Sequence, residues 1–211
     1  MARTRAADYD VQRERILARA VEAFAKTGYA AASMASLADA CGVSKATLYH
    51  YYPGKQALLF EALDRYTRRL LAILEPEPAA DPRTALRETL CALMAEYRHS
   101  RAYHTALLHD LRFLGSEQQA QLRAQQRAVV AAISARIERA APGSMAPGER
   151  SVITMALLGM INFTFAWLSP DGPVSHERFA DLAASLWLEG LSGQAHCPKE
   201  NHDEQSVRVE S

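Results

Sequence analysis

The densest run of hydrogen-bonding and aromatic side chains is Val43 to Leu59, "VSKATLYHYYPGKQALL". It sets Tyr49, His50, Tyr51 and Tyr52 in succession between Lys45 and Lys55, with Pro53 and Gly54 closing the run. At 3.6 residues per turn, four consecutive rings cannot share one core-facing side of a helix. Phenol, imidazole and ammonium groups at this density donate hydrogen bonds to phosphate oxygens and offer flat faces to sugars and base edges. The chemistry indicated is recognition of a nucleic acid surface. The alternative is an aromatic cluster that closes a small packing unit.

Groupings that would make or break bonds do not occur. There is no Gly-x-Ser-x-Gly elbow, no phosphate-cradling glycine loop after a strand and no His-Glu-x-x-His. His99, His104 and His109 are spaced five apart, which scatters them around a helix instead of aligning them toward a metal. His196, Cys197 and His202 lack the second cysteine pair of a zinc site. We therefore read the chain as a non-enzyme with no metal and no cofactor. The three cysteines are too scattered for a disulfide framework, so reduced thiols in a cytoplasmic protein are the simpler reading.

The elements that must position the ring cluster are helices. The composition is 49% hydrophobic and 23% charged, with no alternating β-branched run, so the chain is expected to be all-α. A first helix is expected over about 11–27, with Ile16, Leu17, Ala20, Val21 and Phe24 as its apolar stripe and Gly28 as its stop. Ser33 can cap a short second helix, Gly42 allows a tight reversal, and Ser44 can cap a third helix over about 45–51. On that third helix Val43 and Leu48 face inward with Tyr52, leaving Lys45, Thr47, Tyr49, His50 and Tyr51 outside. Short helix, glycine turn, short helix is a helix-turn-helix unit, and the exposed rings then suit a DNA groove. Lys55 opens the next long helix, where free backbone N–H groups favour a phosphate. Arg3 and Arg5 precede the first helix on an arm that could enter a minor groove; an ordinary terminus is the alternative.

"EPEPAADP" (75–82) marks the clearest joint in the chain. Helices are expected beyond it over 83–114 (one or two), 116–140, 149–168 and 175–191. The domains read as 1–55 (arm 1–10 included), 56–191, and a polar tail 192–211 expected to be disordered. The stretch 152–168 is at the short limit for a membrane span and is interrupted by polar residues, so a buried helix and no membrane partner are expected. Helices 149–168 and 175–191 carry more apolar surface than a small domain buries, which a homodimer through a four-helix bundle would cover. The alternative is that neighbouring helices in the same chain suffice. The net charge of zero excludes overall basicity, yet residues 1–55 hold eight Lys/Arg against five Asp/Glu.

Residues 10–59, through "ILARAVEAFAKTGYAAASMASLADACGVSKATLYHYYPGKQALL", resemble the DNA-binding domain of the tetracycline-repressor-type (TetR) transcriptional regulators. The match runs without a gap. It implies a homodimer on a palindromic double-stranded operator, with Ser33, Lys45, Ala46, Thr47, Tyr49, His50, Tyr51 and Lys55 on the DNA face. Tyr49, Tyr51 and Lys55 would clamp phosphates, while Lys45, Ala46 and Thr47 would reach bases. Gly54 and Gln56 stand where serine and glutamate are common in the family, which questions the capping of the fourth helix.

Residues 103–130 and 157–191 are similar to the branch of that family that responds to acyl-coenzyme A thioesters, and "MARTRAADYD" is similar to its regulators of phenylacetate degradation. The resemblance implies a ligand-released repressor whose small-molecule effector is an acyl-CoA. Candidate ligand-binding residues are Tyr103, His104, Leu107, Leu111, Arg112, Met155, Asn162, Phe163 and Trp167. Arg123 and Arg127 could join Arg112 at a nucleotide phosphate, and Phe165 and Met160 could join the acyl wall. Competing readings are core or dimer packing for Phe163 and Trp167, a backbone partner for Asn162, and a solvated face for the arginines. The functional alternatives are a regulator of the same type sensing a free hydrophobic compound, and a helical adaptor without DNA binding.

Overall fold

The computed structural model describes residues 2–75, 81–146, 148–169 and 171–193, with the first six of these and the last three described as backbone only. Every regular element among them is helical: α1 (Ala2–Thr27), α2 (Met34–Cys41), α3 (Lys45–Tyr51), α4 (Lys55–Leu74), α5 (Pro82–His99), α6 (Arg101–His109), a 3-10 turn (Leu111–Phe113), α7 (Ser116–Ala140), α8 (Arg150–Asn162), α9 (Thr164–Trp167) and α10 (His176–Gly193). The all-α expectation holds.

α1 starts about nine residues earlier than its apolar stripe suggests, so the expected arm carrying Arg3 and Arg5 is helical backbone. No proline or glycine precedes Gly28, and alanine and arginine are good helix formers, so nothing in the segment stops the helix. At Gly42 φ is +68°, a conformation that glycine takes without steric cost, and its N–H closes α2 on the Ala38 and Asp39 carbonyls. Ser33 Oγ accepts the Ser36 N–H at 3.1 Å, and Ser44 Oγ accepts the Thr47 N–H at 3.0 Å, so both short helices are capped by side chains. Leu48 and Tyr52, one helical turn apart, are fully buried with Phe24, Leu37, Leu58 and Leu59. They fix the roll of α3 and so decide which of its residues face out.

α4 begins at the expected boundary and runs on without a break, packing on α1 at one end and on α5, α6 and α7 beyond. Arg13 Nη2 meets Glu61 at 2.5 Å, and Arg65 pairs with both Glu14 and Glu61, tying α1 to α4. Gly54 supplies no side-chain cap, as the sequence departure suggested.

The expected single helix over 149–168 is two, interrupted at Phe163. Two carbonyls leave the helical ladder there. His104 Nε2 takes the Asn162 carbonyl at 3.1 Å, and Thr164 Oγ1 donates to the Ile161 carbonyl at 2.6 Å. By length and apolar composition the stretch Arg150–Trp167 could cross a membrane, yet Thr154, Asn162 and Thr164 interrupt it and one side packs on the protein core. α10 continues to Gly193, two residues into the expected tail; 194–211 lie outside the described residues.

Candidate nucleic-acid interface and effector cavity

With Leu48 and Tyr52 turned inward, α3 presents Lys45, Ala46, Tyr49 and His50 to solvent, while Thr47 and Tyr51 are half-buried. The Thr47 hydroxyl lies 2.8 Å from Ser44 Oγ, so it is held at the front of the helix. Tyr51 is not free. Its ring stacks on Tyr9 of α1 at 4.6 Å, and His50 stands edge-on to both rings. Tyr9 was missed in the sequence because it lies forty residues away on a different helix. Ser33 sits at the N-terminus of α2, its hydroxyl spent on the cap.

Lys55 departs from its expected role as a phosphate clamp. Its Nζ donates to the carbonyls of Tyr29 and Ala32 at 2.9 Å and Ala30 at 3.3 Å, above the Tyr29 ring. An ammonium has three protons, and all three are used. Lys55 thus staples the start of α4 to the loop between α1 and α2.

The second feature is an inner cavity of about 260 Å³, lined from α4 by Thr67 and Leu70, from α5 by Tyr97, from α6 by His104, Leu107 and Leu108, from α7 by Gln126, Val129 and Val130, and from α8 by Met155, Leu158 and Asn162. His104 is its buried polar hub. The Asn162 carbonyl can only accept, so Nε2 carries the proton and Nδ1 accepts from the Tyr66 hydroxyl at 3.0 Å. Tyr97 stacks on the imidazole at 4.1 Å. Burial lowers the His104 pKa to about 4, so the ring is neutral at physiological pH. The cavity lining contains no Lys, Arg, Asp or Glu.

Two outer grooves share residues with this cavity. One, of about 590 Å³, is lined by Arg123, Gln126, Arg127, Val130, Arg150 and Met155 among others. The other, of about 370 Å³, includes Leu107, Leu108, Leu111, Arg112, Arg123 and Gln126. Gln126 borders all three spaces, which places it at the mouth between the apolar interior and the cationic exterior.

Of the candidate ligand residues, His104, Leu107, Met155 and Asn162 line the inner cavity, and Leu111 and Arg112 line an outer groove. Three lie elsewhere. Tyr103 is turned toward α4, where Arg69 covers its ring at 5.0 Å. Phe163 occupies the helix break and is 60% exposed, and Trp167 is 56% exposed with its ring edge-on to Phe179 at 5.2 Å. The break at Phe163 turns these two rings away from the interior. Tyr97, Thr67 and Gln126 were missed; they are single polar residues on otherwise regular helices, with no local signal.

One further face is apolar and open. Val152, Met160, Phe163 and Trp167 on α8–α9 and Leu182 and Leu186 on α10 are exposed. Ala156 and Gly159, also exposed, leave room there for close approach.

A helix-turn-helix unit joined to a helical body with an internal cavity is the architecture of a DNA-binding transcriptional regulator. Residues 16–62 match the family "Bacterial regulatory proteins, tetR family", and 79–191 match "Tetracyclin repressor-like, C-terminal domain". The chain belongs to the tetR family. It is similar to the uncharacterized HTH-type transcriptional regulator YerO of Bacillus subtilis, 29% identical over 103 residues, which are 47% of this chain and 36% of that protein. The chain thus spans about a third of YerO's length. Among solved structures it is similar to a TetR-family transcriptional regulator from Bordetella parapertussis, with 31% identity, TM-score 0.78, and 84% of this chain and 94% of that one covered. It is also similar to AibR, solved in complex with isovaleryl coenzyme A and operator DNA, with 25% identity, TM-score 0.71, and 83% and 97% covered. These relatives are regulators, not enzymes.

Proposed function

We propose that the protein is a cytoplasmic transcriptional repressor that binds a palindromic operator as a homodimer and is released by an acyl-CoA thioester. Residues 1–55 would read DNA, and 56–191 would bind the effector and dimerise. The observation that carries the effector class is the pairing of a charge-free apolar cavity with arginine-lined grooves at its mouth. A free carboxylate would be desolvated in that cavity with no cation to meet it, whereas a neutral thioester carries no such cost. The nucleotide phosphates would lie outside with Arg112, Arg123 and Arg127. The complex of AibR with both an acyl-CoA and operator DNA supports the same combination here.

Dimerisation would cover the open face of α8–α10 through a two-fold four-helix arrangement. Effector occupancy would reach the DNA-binding unit through the 3-10 turn. Leu111 and Arg112 border the groove, while Phe113 stacks on Tyr29 at 4.9 Å and accepts the Gln56 side-chain amide on its carbonyl at 3.1 Å. Tyr29 in turn holds Lys55. A thioester that prefers one setting of this chain of contacts shifts the population of operator-competent dimers.

A thermal-shift panel of acyl-CoAs, free CoA and the matching free acids tests the reading. At about a hundred times its Kd a ligand stabilises by roughly 2.7 kcal/mol, which raises the melting temperature measurably. Stabilisation by thioesters and not by their acids is the expected result. Stabilisation by free acids or other hydrophobic compounds alone would replace the acyl-CoA with a free effector.

A further inference from the structure

We propose that Tyr9, on the first helix, belongs to the DNA interface as a positioning residue that holds the Tyr51 ring of α3 for a backbone phosphate. The inference rests on the reading that α3 enters a DNA groove, and it adds to that interface a residue from outside the helix-turn-helix. Tyr9, Arg13, Ile16 and Ala20 recur every three or four residues down one face of α1. Ile16 and Ala20 are buried in the core. The Arg13 guanidinium lies 5.4 Å over the ring of the buried Tyr52, and its Nη2 meets Glu61 at 2.5 Å. These contacts fix the register of α1 against the end of α3. One turn further out, the same face delivers Tyr9 onto Tyr51, with ring centroids 4.6 Å apart and planes inclined by 28°. His50 stands edge-on to Tyr9 at 6.1 Å. The stack requires the early start of α1 at Ala2, because a helix beginning near Val11 would not include Tyr9.

The cluster is built outward. Rings that only closed a packing unit would be buried with their polar atoms paired. Tyr9 is instead 37% exposed, His50 is exposed and Tyr51 is half-buried. The hydroxyls of Tyr9 and Tyr51 and both ring nitrogens of His50 make no hydrogen bond among the described residues. Unspent phenol and imidazole groups at the end of α3 suit phosphate oxygens, which accept from tyrosine hydroxyls. Asp8 and Asp10 project about 100° to either side of Tyr9 around the helix, and Asp10 acts on Arg65 of α4. Tyr51 has the core on one side of its ring and Tyr9 on the other. Removing Tyr9 frees the outer side, so the ring becomes ordered only as DNA binds, at the cost of one immobilised side chain.

The test is fluorescence anisotropy of the full chain on two labelled duplexes, one from the region upstream of its own coding sequence and one of equal length with that sequence shuffled. Tyr9→Ala should weaken binding about fivefold on both, because a phosphate contact carries no sequence information. The salt dependence should keep its slope, since a neutral phenol releases no counterion. Tyr9→Phe keeps the stack and should restore most of the affinity. In a Tyr51→Ala background, Tyr9→Ala should cost less than about twofold, whereas a general loosening of the fold would cost as much as in the wild type. Unchanged affinity in Tyr9→Ala, an undiminished loss in the Tyr51→Ala background, or a loss in Tyr9→Phe equal to that in Tyr9→Ala would overturn the inference and leave the DNA reading standing. So would a loss confined to the upstream duplex or joined by a shallower salt dependence. A wild-type protein that binds neither duplex would overturn both.

Discussion

His104 makes the stability of this protein depend on pH in a direction and amount that the structure sets. Its folded pKa is about 4 against an ordinary value of 6.5, with burial as the dominant cause. A histidine held neutral by the fold binds its proton more readily in the unfolded chain. Stability is therefore highest above pH 6.5 and falls as the pH drops from 6.5 toward 4, levelling off below. The full difference of about 2.5 units corresponds to ~3 kcal/mol, and roughly 2 kcal/mol of it is lost between pH 7 and pH 5. The assay is urea unfolding followed by circular dichroism at pH 7, 6 and 5, comparing the wild type with His104→Gln. Glutamine can still donate to the Asn162 carbonyl and accept from Tyr66, but it does not titrate. Taking the difference between the two proteins cancels every other group, including His176, whose pKa is also lowered chiefly by burial. The wild type should lose roughly 2 kcal/mol more than the variant on going from pH 7 to pH 5. Equal losses would mean that His104 is solvated or paired differently, and the account of the cavity's hub would be wrong.

Three further outcomes follow from the geometry. Gly42→Ala should destabilise the protein by about 1–2 kcal/mol in the same urea assay, because φ is +68° while an added Cβ meets nothing within 4 Å, leaving only backbone strain. Tyr9→Ala, which unstacks Tyr51, should weaken operator binding severalfold in fluorescence anisotropy, in line with about 0.5–1.5 kcal/mol for an aromatic pair. Leu186→Glu, at a side chain 65% exposed, should leave the circular dichroism spectrum unchanged and halve the mass measured by light scattering.

The parts legible in the sequence were those governed by local rules. Ser33, Gly42, Ser44 and the i, i+4 pair Leu48 and Tyr52 lie within twenty residues, and capping, a left-handed turn and helical period suffice to place them. Distant pairings were not legible. Nothing near Lys55 indicates that its ammonium closes on three carbonyls of the preceding loop, and nothing near Tyr9 indicates its stack on Tyr51. The apolar run 149–168 reads as one helix because its residues suit one. At the break, His104 takes the carbonyl of Asn162, fifty-eight residues further along the chain, which the helix would otherwise use. Phe163 and Trp167 are exposed and do not line the cavity, which leaves the packing alternative given for them from the sequence. His104, Asn162, Leu107 and Met155 share the lining of the inner cavity with Tyr97 and Gln126, single polar residues on regular helices that carry no local signal.

The measurement closest to the central claim is fluorescence anisotropy of the purified protein on labelled DNA from the region upstream of its own coding sequence, with and without phenylacetyl- or octanoyl-CoA. Saturable binding is expected that weakens with salt, is lost in Lys45→Ala/Tyr49→Ala, and is reversed by the thioester but not by free CoA or the free acid. Binding that survives both substitutions, or a complex that no thioester releases at concentrations that saturate the cavity, would contradict it.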